Sequence, residues 1–305
     1  MHQQTTSHLL MIKPVRFNFN AETAVNNSFQ QASDDHAVAE KATKEFEHFV
    51  EVLTAAGIDV TVVPDTAEPH TPDSVFPNNW ISFHQDGTVF LYPMFAVNRR
   101  LERKPHVLEA INEKFLVKNT VSLADYEDKE LFLEGTGSMV LDRSHKIAYA
   151  CLSPRTAIEV LNNWAAKAAY KVVSFLSVDS AGAPIYHTNV MMCVADKYAV
   201  ICIDSIPDKH ERENVLKHLT DTGKEIISIS FAQMNQFAGN MLQVQNKEGQ
   251  HFLVMSSQAF NSLTQEQLAK IEAYNPILHS DIKTIETNGG GSARCMMAEV
   301  FLPVK

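Results

Sequence analysis

The chain has 305 residues, 45% hydrophobic and 20% charged, with 11 Gly and 12 Pro, a composition that excludes a disordered or low-complexity protein. Lys and Arg total 26 against 36 Asp and Glu, a net charge of −10 with no basic cluster, which argues against nucleic acid or an anionic membrane surface as a partner. The longest apolar runs, 190–194 and 199–203, are too short to span a bilayer. The N-terminus lacks a secretory layout, and four scattered cysteines make no disulfide framework, so a cytoplasmic location is expected.

Apolar spacing predicts a first amphipathic helix over 35–56, with Ala42, Phe46, Phe49, Val50 and Leu53 on one face, Asp34 or Asp35 as cap and Gly57 as stop. The β-branched run Ile58–Val63 follows as a strand. Trp80–Phe83 and Val89–Tyr92 then form a pair of strands across the turn Gln85-Asp86-Gly87. A second helix over 100–115 carries Leu101, Val107, Leu108, Ile111 and Phe115, and strand Val117–Leu123 comes after it. Met139–Leu141 pairs with Ile147–Cys151. A third helix opens at Ser153-Pro154, a capping hydroxyl before Pro at the first helical position, and runs to about 169. Strand Tyr170–Phe175 and the pair Val190–Val194 with Ala199–Ile203 follow. The fourth helix lies between Pro207 and Gly223, with Glu225–Phe231 as its strand. The fifth starts at the capping box Thr264-Gln-Glu-Gln267, and Ile282–Ile285 and Met296–Leu302 are the last strands. The order strand, strand, helix, strand recurs five times, with helix starts roughly 53–65 residues apart, so the chain reads as one repeat architecture over 1–305.

Three places stand out chemically. In Asn288-Gly-Gly-Gly-Ser-Ala-Arg-Cys295 the glycines can take positive φ, and the loop would present Cys295 just before the final strand, with Arg294 favouring its thiolate. A plain turn is the structural alternative. His187, in Pro184-Ile-Tyr-His-Thr-Asn189, directly precedes an apolar run; a lone histidine there reads as structural, or, beside a cysteine nucleophile, as its proton carrier. Glu134, in Leu131-Phe-Leu-Glu-Gly-Thr-Gly-Ser138, can cap a loop or orient an imidazole. His36, His48, His106, His210 and His218 fall on polar faces or tails. Cys151, Cys193 and Cys202 read as small buried side chains. No spacing suits a metal site.

The segments Asp73-Ser-Val-Phe-Pro-Asn-Asn-Trp80, Glu134-Gly-x-Gly, His187-x-Asn189 and Gly-Gly-Gly-x-x-Arg-Cys295, in that order, resemble the guanidine-modifying enzymes: arginine deiminase, dimethylarginine hydrolase, amidinotransferases and succinylarginine dihydrolase. The resemblance runs from about Ser7 to Leu302 and comes nearest to the citrulline-utilisation hydrolases. It implies an α/β fold, a five-bladed pseudo-symmetric propeller of ββαβ units, and no metal or organic cofactor. By it, Cys295 matches the nucleophile, His187 the general acid/base and Glu134 the carboxylate beside the histidine or substrate. Asp73 matches the start of the substrate loop. Arg155, with Arg99 or Arg100, matches arginines that hold a substrate carboxylate.

Two positions depart from that pattern. Deiminases and dimethylarginine hydrolases end the loop in an acidic residue where this chain has Asn78-Asn79, and many carry His-x-Asp where it has His187-Thr-Asn189. A guanidinium buried without its counter-charge costs several kcal/mol. A neutral ureido group instead offers an oxygen to which an amide NH2 donates. Neutral drift in a relaxed site is the bland alternative. The expected activity is therefore cysteine-dependent hydrolysis of the terminal ureido C–N bond of citrulline or a close derivative, with Asn78, Asn79 and Asn189 on the ureido head. A guanidino substrate held by Asp73 and Glu134 is the second reading, and a catalytically silent propeller that serves as a binding module is the third. The expected partner is a small ureido or guanidino amino acid; a homo-oligomer is left open.

Overall fold

A strand hairpin followed by a helix returns to its own sheet by laying a third strand parallel to the second. This chain does so repeatedly. The computed structural model describes residues 3–32 and 37–305. Its strands are β1 His8–Lys13, β2 Asp59–Pro64, β3 Ile81–Phe83, β4 Thr88–Leu91, β5 Asn119–Ser122, β6 Val140–Asp142, β7 Ile147–Cys151 and β8 Lys171–Phe175. They continue as β9 Met192–Val194, β10 Tyr198–Ile201, β11 Glu225–Ser228, β12 Leu242–Gln245, β13 His251–Ser256, β14 Ile277–Ser280 and β15 Ala298–Glu299. Among the described residues they form five three-stranded sheets, in the orders β15-β1-β2, β3-β4-β5, β6-β7-β8, β9-β10-β11 and β12-β13-β14. The crossover helices are α1 Val38–Ala55, α2 Pro105–Lys114, α3 Ile158–Ala168, α4 Lys209–Asp221 and α5 Gln265–Glu272.

In each sheet the first pair is antiparallel and the second parallel. The first sheet is closed by the chain's two ends: β15 lies antiparallel to β1, with Leu9 opposite Glu299 and Leu10 opposite Ala298. The result is the five-bladed α/β propeller that the motifs imply. Apolar faces of the helices fill the gaps between sheets. Ala42, Phe46, Phe49 and Leu53 of α1 are buried against Leu9 and Met11, and each large side chain contributes about 1.5–3 kcal/mol of burial. Among the described residues no helix is long and apolar enough to cross a membrane.

Several local expectations need correction. The cap proposed at Asp34 or Asp35 lies outside the described residues. The third helix starts at Ile158, not at Ser153; Ser153–Thr156 is instead a tight turn in which Ser153 Oγ accepts from Arg155 N–H at 3.1 Å and donates to Tyr186 O at 2.8 Å. Ile282–Ile285 is not a strand but leads into the helix Lys283–Gly289, and the parallel strand of that unit is β14, Ile277–Ser280. Its polar end, His279-Ser280, disguises the strand pattern. The final strand shrinks to Ala298–Glu299, because Ala293–Met296 forms a 3-10 turn. The capping box at Thr264 forms, with Thr264 Oγ1 accepting from Gln267 N–H at 3.2 Å.

Candidate active site

The fivefold repeat places one short segment before the first strand of each hairpin. Before β3 it is Pro77–Asn79, before β6 Gly135–Ser138, before β9 Thr188–Met191, and before β15 Ala293–Met296. Before β12 the segment 237–241 plays the same part. These segments, or the residue just ahead of them, carry Asn79, Glu134, His187, Asn189, Asn240 and Cys295. Thus residues far apart in sequence meet because they hold pseudo-equivalent positions.

Cys295 and His187 line one narrow cleft together with Asp73, Asn79, Arg99 and Arg155. The cleft is closed down to about 10 Å³, room for about one water. Cys295 is 5% exposed. Of the three glycines ahead of it only Gly290 takes a positive φ, of 64°; Gly289 and Gly291 instead leave room for the Phe76 ring. Tyr186 Oη donates to Gly290 O at 2.8 Å and fixes the loop against the His187 segment.

Glu134 is completely buried, and its two oxygens have different tasks. Oε1 accepts from Phe95 N–H at 2.9 Å, whereas Oε2 lies 2.8 Å from His187 Nε2 and 3.5 Å from Arg155 Nη1. Burial alone would raise its pKa, but the charge of Arg155, the hydrogen bond and charge of His187 and the charge of Arg99 outweigh burial and hold it well below the usual carboxylate range. An ionised carboxylate only accepts, so His187 Nε2 carries the hydrogen and Nδ1 keeps its lone pair. Burial, resisted by Glu134 and reinforced by Arg155 and Arg99, lowers the His187 pKa to about 4, so the resting imidazole is neutral at neutral pH. Gly137 is required here, since a methyl on it would stand 2.3 Å from Asn79 Nδ2 and 2.8 Å from His187 Nδ1.

Asn79 Oδ1 accepts from Arg99 Nη1 at 2.8 Å, and Asn79 Nδ2 has no hydrogen-bond partner among the described residues. Asp73 Oδ2 accepts from Asn20 Nδ2 at 2.8 Å and Thr23 Oγ1 at 3.1 Å, while Oδ1 has no partner among the described residues. Burial raises the Asp73 pKa, opposed chiefly by the charge of Arg99.

The other candidates fall differently. Arg99 lines the cleft, but its Nε and Nη2 make a bidentate pair with Glu102 at 2.8 and 2.9 Å. Arg155 also lines it; Nε donates to Asn26 Oδ1 at 2.8 Å and Nη2 to Thr23 O at 2.8 Å, with a further Nη2 contact to Asn26 Oδ1. Arg100 is not in the cleft. Its side chain donates to Met94 O at 3.0 Å and lies over Phe132, because one turn of helix cannot point two adjacent arginines inward. Arg294 gives its guanidinium hydrogen bonds to Glu299 Oε2 and Met297 O, each at 2.8 Å, and acts on the thiol of Cys295 only through its charge. Asn78 is buried outside the cleft lining, with Nδ2 and Oδ1 unpartnered among the described residues. Asn189 turns its Nδ2 to the Cys295 sulfur at 3.4 Å and is not among the cleft residues.

Sequence reasoning missed Asn240, whose Nδ2 lies 3.3 Å from Cys295 Sγ. The pseudo-equivalence of the segments before each hairpin is the signal that points to it. Among the described residues, no group of three or more His, Cys, Asp or Glu side chains is arranged to hold a metal ion.

A buried Cys, a neutral His oriented by a carboxylate and a five-unit propeller together mark a guanidine-modifying enzyme, a hydrolase of C–N bonds other than peptide bonds. The model of the family described as "N,N dimethylarginine dimethylhydrolase, eukaryotic" matches residues 13–302, and the chain belongs to this family. Among solved structures it is similar to the N-terminal domain of ArgZ, an arginine dihydrolase of the ornithine-ammonia cycle in cyanobacteria, with 18% identity, 97% of this chain and 98% of that one covered, and a TM-score of 0.76. AgrE, solved as a mutant in a binary complex with L-arginine, is 18% identical with a TM-score of 0.76; the match covers 98% of this chain and 40% of AgrE. A dimethylarginine dimethylaminohydrolase adduct with 4-chloro-2-hydroxymethylpyridine is 15% identical, with 96% and 98% covered and a TM-score of 0.66. No curated protein sequence matches the chain significantly.

Proposed function

We propose that the protein hydrolyses the terminal ureido C–N bond of citrulline, or of a close derivative, through a covalent intermediate on Cys295. The observation that carries this reading is the amide of Asn79. With Oδ1 held by Arg99 at 2.8 Å, Asn79, a residue of the cleft lining, keeps a buried NH2 that has no hydrogen-bond partner among the described residues. That group donates to a ureido oxygen and cannot neutralise a guanidinium.

In this reading neutral His187 takes the thiol proton at Nδ1, and Cys295 Sγ bonds to the ureido carbon. Charge gathers on the carbonyl oxygen, where the Asn79 NH2 acts as an oxyanion donor. The C–N bond breaks as His187 returns the proton to the departing ammonia, leaving a thiocarbamate on sulfur. His187 then takes a proton from water, the water oxygen bonds to the carbon, and the sulfur leaves as thiolate and recovers that proton from His187. The resulting N-carboxylic acid transfers its own proton to nitrogen as CO2 leaves, giving ornithine. Glu134 stabilises the imidazolium formed on the way. Arg155 and Arg99 line the cleft, and an amino-acid carboxylate that pairs with Arg155 displaces its contacts to Asn26 and Thr23 O. Because Arg155 ties the cleft to Thr23 and Asn26, admission of an amino acid requires the 20–26 segment to move.

A second reading takes arginine as substrate. It is favoured by Asp73, a residue of the cleft lining whose Oδ1 has no partner among the described residues, and by the description of ArgZ as an arginine dihydrolase. The deciding experiment is a screen of ureido and guanidino compounds for ammonia release by the purified protein. Citrulline turnover without arginine turnover supports the first reading; the reverse supports the second.

A further inference from the structure

The sulfur of Cys295 sits between two primary amides. Asn240 Nδ2 is 3.3 Å from Sγ and Asn189 Nδ2 3.4 Å. The backbone fixes how Asn240 is turned. Its Oδ1 accepts from Arg294 N–H at 3.0 Å, and its Nδ2 donates to Asn189 O at 3.0 Å. Flipping the amide would leave a buried N–H without an acceptor and a buried carbonyl without a donor. The second hydrogen on Nδ2 is therefore the one that meets sulfur. Oδ1 lies 3.7 Å from Sγ, so a protonated thiol has an acceptor on the same group. Asn189 and Asn240 are each 1% exposed, which keeps water from substituting for either.

The cations of the region give their hydrogen bonds elsewhere, and Arg294 reaches the sulfur only through its charge. Arg294 is bound to Glu299, Arg99 to Glu102 and Asn79, and Arg155 to Asn26 and Thr23. Negative charge on a buried sulfur is costly without donors, and hydrogen bonds to a charged acceptor are stronger than neutral ones. Neutral N–H donors also suit a nucleophile that must become anionic to attack and again to leave.

We infer that Asn240 is a positioning residue that, with Asn189, holds Cys295 Sγ and supports its anionic form through side-chain N–H donation. The inference rests on Cys295 being the nucleophile; it does not depend on whether the substrate is ureido or guanidino.

The test is alkylation of Cys295 by iodoacetamide without substrate, over a series of pH values, with Cys295→Ser as background. Asn240→Asp keeps the side chain's shape and the acceptor for Arg294 N–H but turns the donor into a carboxylate oxygen. Asn240→Ala removes the donor outright and carries the test should the aspartate variant not fold. Asn240→Ser retains a hydroxyl donor. Alkylation at neutral pH is expected to slow about ten- to a hundredfold in Asn240→Asp and Asn240→Ala, the scale of one hydrogen bond to a charged group. The reactivity profile moves to higher pH in both, and Asn240→Ser stays nearer the wild type. A profile that does not move in either donor-less variant overturns the inference, even if turnover falls, because that is the signature of a structural role. Turnover that persists in Cys295→Ser removes the nucleophile itself, and the inference with it.

Discussion

Asn79→Asp exchanges two isosteric side chains, so the fold has no steric reason to change, yet the chemistry offered at the cleft inverts. In the wild type Arg99 Nη1 holds Oδ1 at 2.8 Å and leaves Nδ2 unpartnered among the described residues. The aspartate keeps the Arg99 contact through one oxygen, now charge-assisted, and puts its second oxygen where Nδ2 was. That oxygen donates nothing to a ureido carbonyl and opposes the charge building there. Loss of one oxyanion donor costs about 3–4 kcal/mol, or 10²–10³ in rate. For an arginine-like cation the same oxygen supplies a charge-assisted partner that the wild type lacks. We therefore expect kcat/KM for citrulline to fall about 10²–10³-fold while that for arginine rises. Both are read by steady-state ammonia release. An unchanged ratio would refute the reasoning, because Asn79 would then not read the substrate's charge.

Four further outcomes are expected. Cys295→Ser should keep its urea midpoint but lose turnover, since a serine hydroxyl is not appreciably ionised at neutral pH. In Gly137→Ala the new methyl meets Asn79 Nδ2 and His187 Nδ1 at 2.3 and 2.8 Å; urea denaturation should show a loss of about 1–3 kcal/mol while turnover falls far more. Glu134→Gln removes the charge shared by buried Arg155 and His187, so about 3–5 kcal/mol of stability should go with it, together with turnover. Folding lowers the His187 pKa to about 4 from an ordinary 6.5, so between those values the unfolded chain binds the extra proton and stability falls as pH drops through the window. His187→Asn should flatten that part of the slope, measured as urea midpoints at successive pH values.

The repeat was legible because each unit restates one order of periodicities, and two-residue alternation followed by helical spacing survives without any sequence identity between units. Glu134, His187 and Cys295 were legible because each sits in a short polar segment against apolar runs, in an order resembling a known family. What failed was direction. Asn78 and Asn79 are neighbours, as are Arg99 and Arg100 and Arg294 and Cys295, and in each pair only the second, first and second member respectively reaches the cleft. One residue along a turn rotates a side chain by about 100°, which no composition or motif records. Asn240 escaped for the opposite reason: Gly239-Asn240-Met241 carries no motif, and its importance comes only from the closure that brings the segment before β12 to the one before β15. The resemblance puts the Asn189 side chain on the substrate because the family's aspartate touches a guanidinium there; in this chain its Nδ2 also meets the Cys295 sulfur, which no motif records.

Covalent attack by Cys295 on a ureido carbon is seen in the intact mass of enzyme quenched in acid during turnover of citrulline. A transient gain equal to the substrate less ammonia is expected, mapping to the peptide that contains Cys295 and absent from Cys295→Ser, followed by release of ornithine. Turnover of citrulline with no such adduct, or an adduct and activity that persist in Cys295→Ser, would contradict it.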